Sequence, residues 1–123
     1  MRRSVALLLT FLIAFAASAG SHADASSDAP VKAGARKIKV DARNFEFEPD
    51  KIKVRARENV AIVLHSEDGP HDFTLEHGGL VVKVSGGKTA KGGLRLAKPG
   101  KYTFFCSIPG HRAAGMVGTI TAS

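Results

Sequence analysis

The sequence predicts an all-β fold, a sandwich or a barrel. Short apolar runs with period-two alternation and turn chemistry between them point that way. So does the lack of a helical apolar stripe after residue 37. About eight strands are expected at this spacing.

Ile38-Lys39-Val40 opens the series. Phe45 and Phe47 alternate with Glu46 and Glu48 ahead of Pro49-Asp50. Ile52 and Val54 alternate with Lys51, Lys53 and Arg55. Val60 to Leu64 is apolar throughout, as a strand buried on both faces requires. His71 to Leu75 alternates again, Leu80 to Val84 follows, and Leu94 and Leu96 flank Arg95. Tyr102 to Cys106 and Val117 to Thr121 complete the set. The separators are Glu67-Asp68-Gly69-Pro70, Gly78-Gly79, Ser85-Gly86-Gly87, Gly92-Gly93 and Pro99-Gly100.

A different kind of sequence precedes this region. Arg2 and Arg3 stand before an apolar run, Val5 to Ala17, and Ala17-Ser18-Ala19 is a small-residue cleavage pattern. Ala23-Asp24-Ala25 is a second such pattern. Residues 1–19 therefore read as a secretory signal peptide. The apolar run is 13 residues, short of the roughly 20 that span a bilayer as a helix. Residues 20–37, rich in Ala, Ser, Asp, Gly and Lys, read as a flexible tether, and 38–123 as one folded domain. Export to the periplasm without stable membrane insertion is the expectation, with the chain a monomer.

The chain carries 18 basic and 11 acidic residues, a net charge of +7. Every acid lies at or before Glu76. Lys83, Lys88, Lys91, Arg95, Lys98, Lys101 and Arg112 follow with no acid among them. This asymmetry favours an acidic partner surface or anionic lipid headgroups. Nucleic acid is a poor fit for an exported chain with no binding motif.

Soft donor side chains are scarce, and that scarcity is informative. Cys106 is the only cysteine, so no intrachain disulfide forms. Met116 is the only methionine besides the initiator, and His111 lies midway between the two. Thiolate and thioether are soft ligands and imidazole is borderline, a set that suits copper in both of its common oxidation states. Zinc more often recruits several cysteines or a carboxylate. Tyr102, Phe104 and Cys106 share strand parity, so the sulfur faces the core, and Pro109-Gly110 turns the chain back at His111. A second imidazole comes from His71, which opens a strand whose parity partners Phe73 and Leu75 point inward. His22, His65 and His77 are expected to be solvated or hydrogen-bonded rather than to build a second metal site.

The run from Gly100 to Thr119, with Cys106, Pro109-Gly110, His111, Gly115, Met116 and Gly118 in order, resembles the ligand loop of small cupredoxins, the plastocyanin and azurin group. Pro70-His71-Asp72-Phe73 resembles their first-histidine motif, and Phe45 to Pro49 their early strand region. The resemblance implies a Greek-key β-sandwich with one copper ion at one end. His71, Cys106 and His111 would be equatorial ligands and Met116 axial. It also implies that His111 offers its outer ring edge near the surface as an electron path, and that backbone N–H groups after Cys106 donate to the thiolate. The Cys-to-His gap is similar to azurin and the His-to-Met gap to plastocyanin. Asp72 stands where the family often has Asn. As an acceptor without a donor, it either locks the ligand loops differently or lowers the potential by its charge.

The expected role is therefore single-electron transfer by Cu(I)/Cu(II) cycling, not enzymatic turnover. Transient redox partners are expected, either acidic proteins or membrane-bound respiratory complexes. The alternatives are a periplasmic copper-trafficking module, which would more often display several Met or Cys, and a cupredoxin-like domain associated with iron uptake. A copper nitrite reductase-like or multicopper oxidase fragment would need a second copper centre and more histidines than this chain has.

Overall fold

A computed structural model describes residues 28–123. The expected signal peptide, the first part of the tether and His22 lie outside the described residues. Among the described residues there are nine strands: β1 (Arg36–Arg43), β2 (Glu46–Glu48), β3 (Lys51–Val54), β4 (Val60–Ser66), β5 (His71–Leu75), β6 (Gly79–Val84), β7 (Thr89–Leu94), β8 (Gly100–Phe105) and β9 (Val117–Ala122). They form two sheets, β2-β1-β4-β7 and β3-β9-β8-β5-β6, packed as the expected β-sandwich. Within each sheet one pair is parallel, β1 with β4 and β3 with β9. Such pairs cannot be joined by hairpins, so the chain must cross between sheets.

The core follows from the alternation. Ile52 and Val54 on β3, Val40 and Ala42 on β1, and Val60, Ala61, Ile62 and Leu64 on β4 are buried. At the centre Phe73 and Phe104 stack at 4.2 Å between ring centroids, and Phe47 meets both rings edge-on. Each such ring contributes about 1.5–3 kcal/mol by leaving water. Gly118 on β9 lets that stack form, because a Cβ there would overlap the Phe104 ring.

One strand lies away from its expected place. The sequence suggested a strand around Leu94–Leu96 after a Gly92-Gly93 turn. Instead β7 runs through both glycines and ends at Leu94. The glycines serve close backbone approach rather than a turn: a Cβ at Gly92 would strike the Val81 carbonyl, and one at Gly93 the Pro30 carbonyl.

β1 begins at Arg36, and the described part of the expected tether is held against the domain. The Ala29 N–H donates to the Val81 carbonyl on β6, and the Gly93 N–H on β7 donates to the Ala29 carbonyl, both at 2.9 Å. One residue thus bridges the free edges of the two sheets.

Candidate metal centre

The site lies at the end of the sandwich where β4 and β8 finish and β5 and β9 start. β8 pairs with β5 only at Thr74–Phe105 and Leu75–Phe104. Continuing that register by one residue sets Cys106 opposite Phe73 and brings its sulfur toward His71. Cys106, His71 and Met116 are all buried, and His111 is half-buried.

The loop after Cys106 folds on itself. The His111 N–H donates to the Ile108 carbonyl at 3.0 Å, and the Met116 N–H to the His111 carbonyl at 3.1 Å. The Cys106 N–H then donates to the Met116 carbonyl at 3.1 Å, closing the loop into a ring of backbone contacts. Gly110 and Gly115 take the left-handed turns this path needs, with φ of 84° and 114°.

Cys106 Sγ lies 3.6 Å from His111 Nδ1 and 3.9 Å from His71 Nδ1. All three donor atoms fall within 4.8 Å of one another, and among the described residues this is the one such cluster of three or more His, Cys or acidic groups. Metal–ligand bonds of about 2.0–2.3 Å set trigonal donors about 3.5–4.0 Å apart, so the spacing fits one ion at their centre. Burial pushes the Cys106 thiol above its usual range, while backbone N–H groups of Asp72 and Ile108 pull it back toward the thiolate. A buried sulfur that receives two donors yet resists ionisation is suited to a cation beside it.

Asp72 does lock the ligand loops. Its carboxylate accepts the Ser107 N–H at 2.7 Å, the Ser107 hydroxyl, and the Thr74 hydroxyl at 3.0 Å. Its own N–H points at Cys106 Sγ, 3.4 Å away. The Asp72 carboxylate therefore ties the two ligand loops as an acceptor, with Ser107 supplying two donors to it and the Asp72 N–H adding a third contact across the gap.

Two neighbours of the imidazoles escaped sequence reasoning. Phe45, placed in an alternating strand series, instead precedes β2, is 45% exposed and meets the His111 ring edge-on at 5.2 Å. Asp68, read only as part of an acidic turn, lies 2.7 Å from His71 Nε2. Its carboxyl is held below the usual range first by the Asn44 N–H and then by His71. An acid three residues before a candidate ligand histidine was the available signal. His65 and His77 stand apart from the cluster. His65 Nδ1 contacts the Thr89 hydroxyl at 2.9 Å, and His77 sits exposed in a turn.

A thiol and two imidazoles converging in a β-sandwich, with a buried thioether on the same loop, define a protein with a single copper site. The chain belongs to the cupredoxin family: the model of the cupredoxin-like domain matches residues 5–121. It is 31% identical over 111 residues to the plastocyanin of Prochlorothrix hollandica, covering 77% of this chain and 78% of that protein. Auracyanin B superposes with a TM-score of 0.68 at 20% identity, over 79% of this chain and 95% of that one. Oxidised plastocyanin from Dryopteris crassirhizoma gives 0.56 at 25% identity, over 70% of this chain and all of that one (100%).

Proposed function

We propose that this chain is an exported single-electron carrier whose copper is held by His71 Nδ1, Cys106 Sγ, His111 Nδ1 and the Met116 thioether. The observation that carries the reading is the convergence of the thiol and both Nδ1 atoms on one buried point. Copper bound there supplies one electron at a time by alternating between Cu(I) and Cu(II).

The chain's own residues keep the site rigid. The Asp72–Ser107 lock and the closed backbone ring of residues 106–116 hold the donors in place whatever the charge at the centre. The Asp72 and Ile108 N–H groups aimed at the sulfur tune its electron density. Ile108, packed against the core, helps to exclude water. His111 is the half-buried imidazole, and Gly110, Ala113 and Ala114 beside it are small and exposed. A partner can therefore approach this imidazole closely.

Basic residues support an acidic partner. On the outer face of the second sheet Lys53, Thr121 and Lys101 form one cross-strand row, with Lys51 opposite Thr119 in the next. All three lysines are exposed. This face supports a transient encounter with an acidic redox protein, or with a membrane-bound respiratory complex of that charge. Arg112 contributes less, because it is paired to Glu76 at 2.7 Å and lies over the Phe105 ring.

The test is addition of Cu(II) to the mature protein with visible and paramagnetic spectra. One equivalent should bind with an intense sulfur-to-copper band that Cys106→Ala abolishes. A colourless tetragonal signal, or a band that survives Cys106→Ala, would overturn the reading.

A further inference from the structure

We propose that Asp68 is a positioning residue for the copper centre: its carboxylate fixes the tautomer and orientation of the His71 imidazole and adds negative charge behind that ligand. The proposal rests on the ligand assignment above.

Asp68 Oδ1 lies 2.7 Å from His71 Nε2. An ionised carboxylate only accepts, so Nε2 carries the proton. That leaves the lone pair on Nδ1, the nitrogen 3.9 Å from Cys106 Sγ. The other carboxylate oxygen accepts the Asn44 N–H at 2.7 Å, and the Ser66 hydroxyl donates to the Gly69 carbonyl to close the turn beneath. Asp68 is thus held from two sides. The His71 side chain is wholly buried, whereas that of Asp68 is 36% exposed, so the carboxylate caps the ring on its solvent side.

The two imidazoles are treated unequally. The turn at Asn44–Phe45 reaches His71 through Asp68, an anion, and reaches His111 through the Phe45 ring, which is neutral. Negative charge transmitted through His71 favours the more highly charged oxidation state of a bound metal. A partner carboxylate behind a ligating histidine also raises its basicity and affinity. Asp68 therefore stabilises Cu(II) more than Cu(I) and lowers the reduction potential, while His111 remains free of that bias at the surface.

The experiment uses the mature protein with Asp68→Asn and Asp68→Ala. In the metal-free protein, nitrogen NMR of the His71 ring should show the Nε2-protonated tautomer in wild type and in Asp68→Asn, whose amide oxygen still accepts. Asp68→Ala should give a mixture. In the copper form, Asp68→Ala should lose about 10- to 100-fold in Cu(II) affinity and less in Cu(I) affinity. A tenfold difference between the two losses is a potential rise of about 59 mV for one electron. Asp68→Asn should raise the potential without changing the tautomer. Equal losses for both oxidation states, or an unchanged tautomer and potential in Asp68→Ala, would overturn the proposal. A wild-type chain that lacks the sulfur-to-copper band would instead overturn the ligand assignment, and the metal-free tautomer would still decide the Asp68–His71 link.

Discussion

The two loops that carry the donor residues are built in opposite ways. The loop from Cys106 to Met116 is held by itself: its backbone contacts run between Cys106 and Met116, His111 and Ile108, and Met116 and His111. The loop from Ser66 to His71 is held mainly by other segments. Its Ser66 N–H donates to Lys88, its Glu67 N–H to Ala42, and Asp68 is gripped by Asn44. The first loop is a local object and can be read along the chain. The second is a meeting of three distant segments, so its geometry depends on the whole sandwich having formed. Asp72 is the joint between them, because its carboxylate is anchored on one side and both Ser107 donors arrive from the other.

The sharpest way to break this comparison is to remove the joint. Asp72→Ala leaves the Ser107 N–H and two hydroxyls without their buried acceptor. Ser107 is exposed and Thr74 half-buried, so water replaces part of that bonding, but losing three hydrogen bonds to one buried carboxylate should still cost about 1–3 kcal/mol, read as a lower urea midpoint of the metal-free protein with an unchanged slope. Backbone amide exchange should then accelerate around residues 66–72, whereas the self-closed 106–116 contacts keep their protection. If both loops loosen alike, the C-terminal loop is less autonomous than its contacts indicate. Ser107→Ala is the milder cut, since it removes the hydroxyl donor and keeps the N–H on Asp72. It should cost about 0.5–1.5 kcal/mol in the same measurement. A cost equal to that of Asp72→Ala would mean that the hydroxyl, not the backbone donor, holds the loops together.

The same contrast explains what the sequence disclosed. The β-sandwich was legible because alternation and turn residues are local, and β3, β5, β8 and β9 fall close to where the pattern puts them. The convergence of Cys106 and His111 was legible because only four residues separate them, one Pro-Gly turn included. His71 required a guess about strand direction that β5–β8 pairing satisfies. Phe45 and Ser107 were invisible in their roles, since each acts on a residue 35 or more positions away, whereas Asp68 left only the weak local signal of an acid three residues before His71, in a turn held by Asn44 and Gly69. Gly92 and Gly93 misled for a related reason. A glycine that admits a neighbouring backbone and a glycine that turns the chain are the same letter.

The far end of the sandwich offers the smallest effect and calibrates the others. There Glu58 takes a two-pronged contact from Arg36, with Nε and Nη2 each 2.9 Å from a carboxylate oxygen. The Arg36 hydrogen bond, with the Arg55 N–H second, lowers the Glu58 pKa from 4.5 to about 2. Because the folded pKa is depressed, the pair's stabilisation is present above the ordinary carboxylate range. It is lost as pH falls through about 2. Glu58→Gln should therefore be slightly less stable than wild type at neutral pH, and the gap should close as the solution is acidified. The group is at the surface, so added salt should shrink the gap as well. Added salt should not move the cost of Ser107→Ala by a comparable fraction, because the Asp72 carboxylate that accepts that hydrogen bond is buried, unlike Glu58. If salt erased both differences equally, the joint between the donor loops would be as solvated as the far-end ion pair, and the unequal construction of the two loops would no longer explain the ranking.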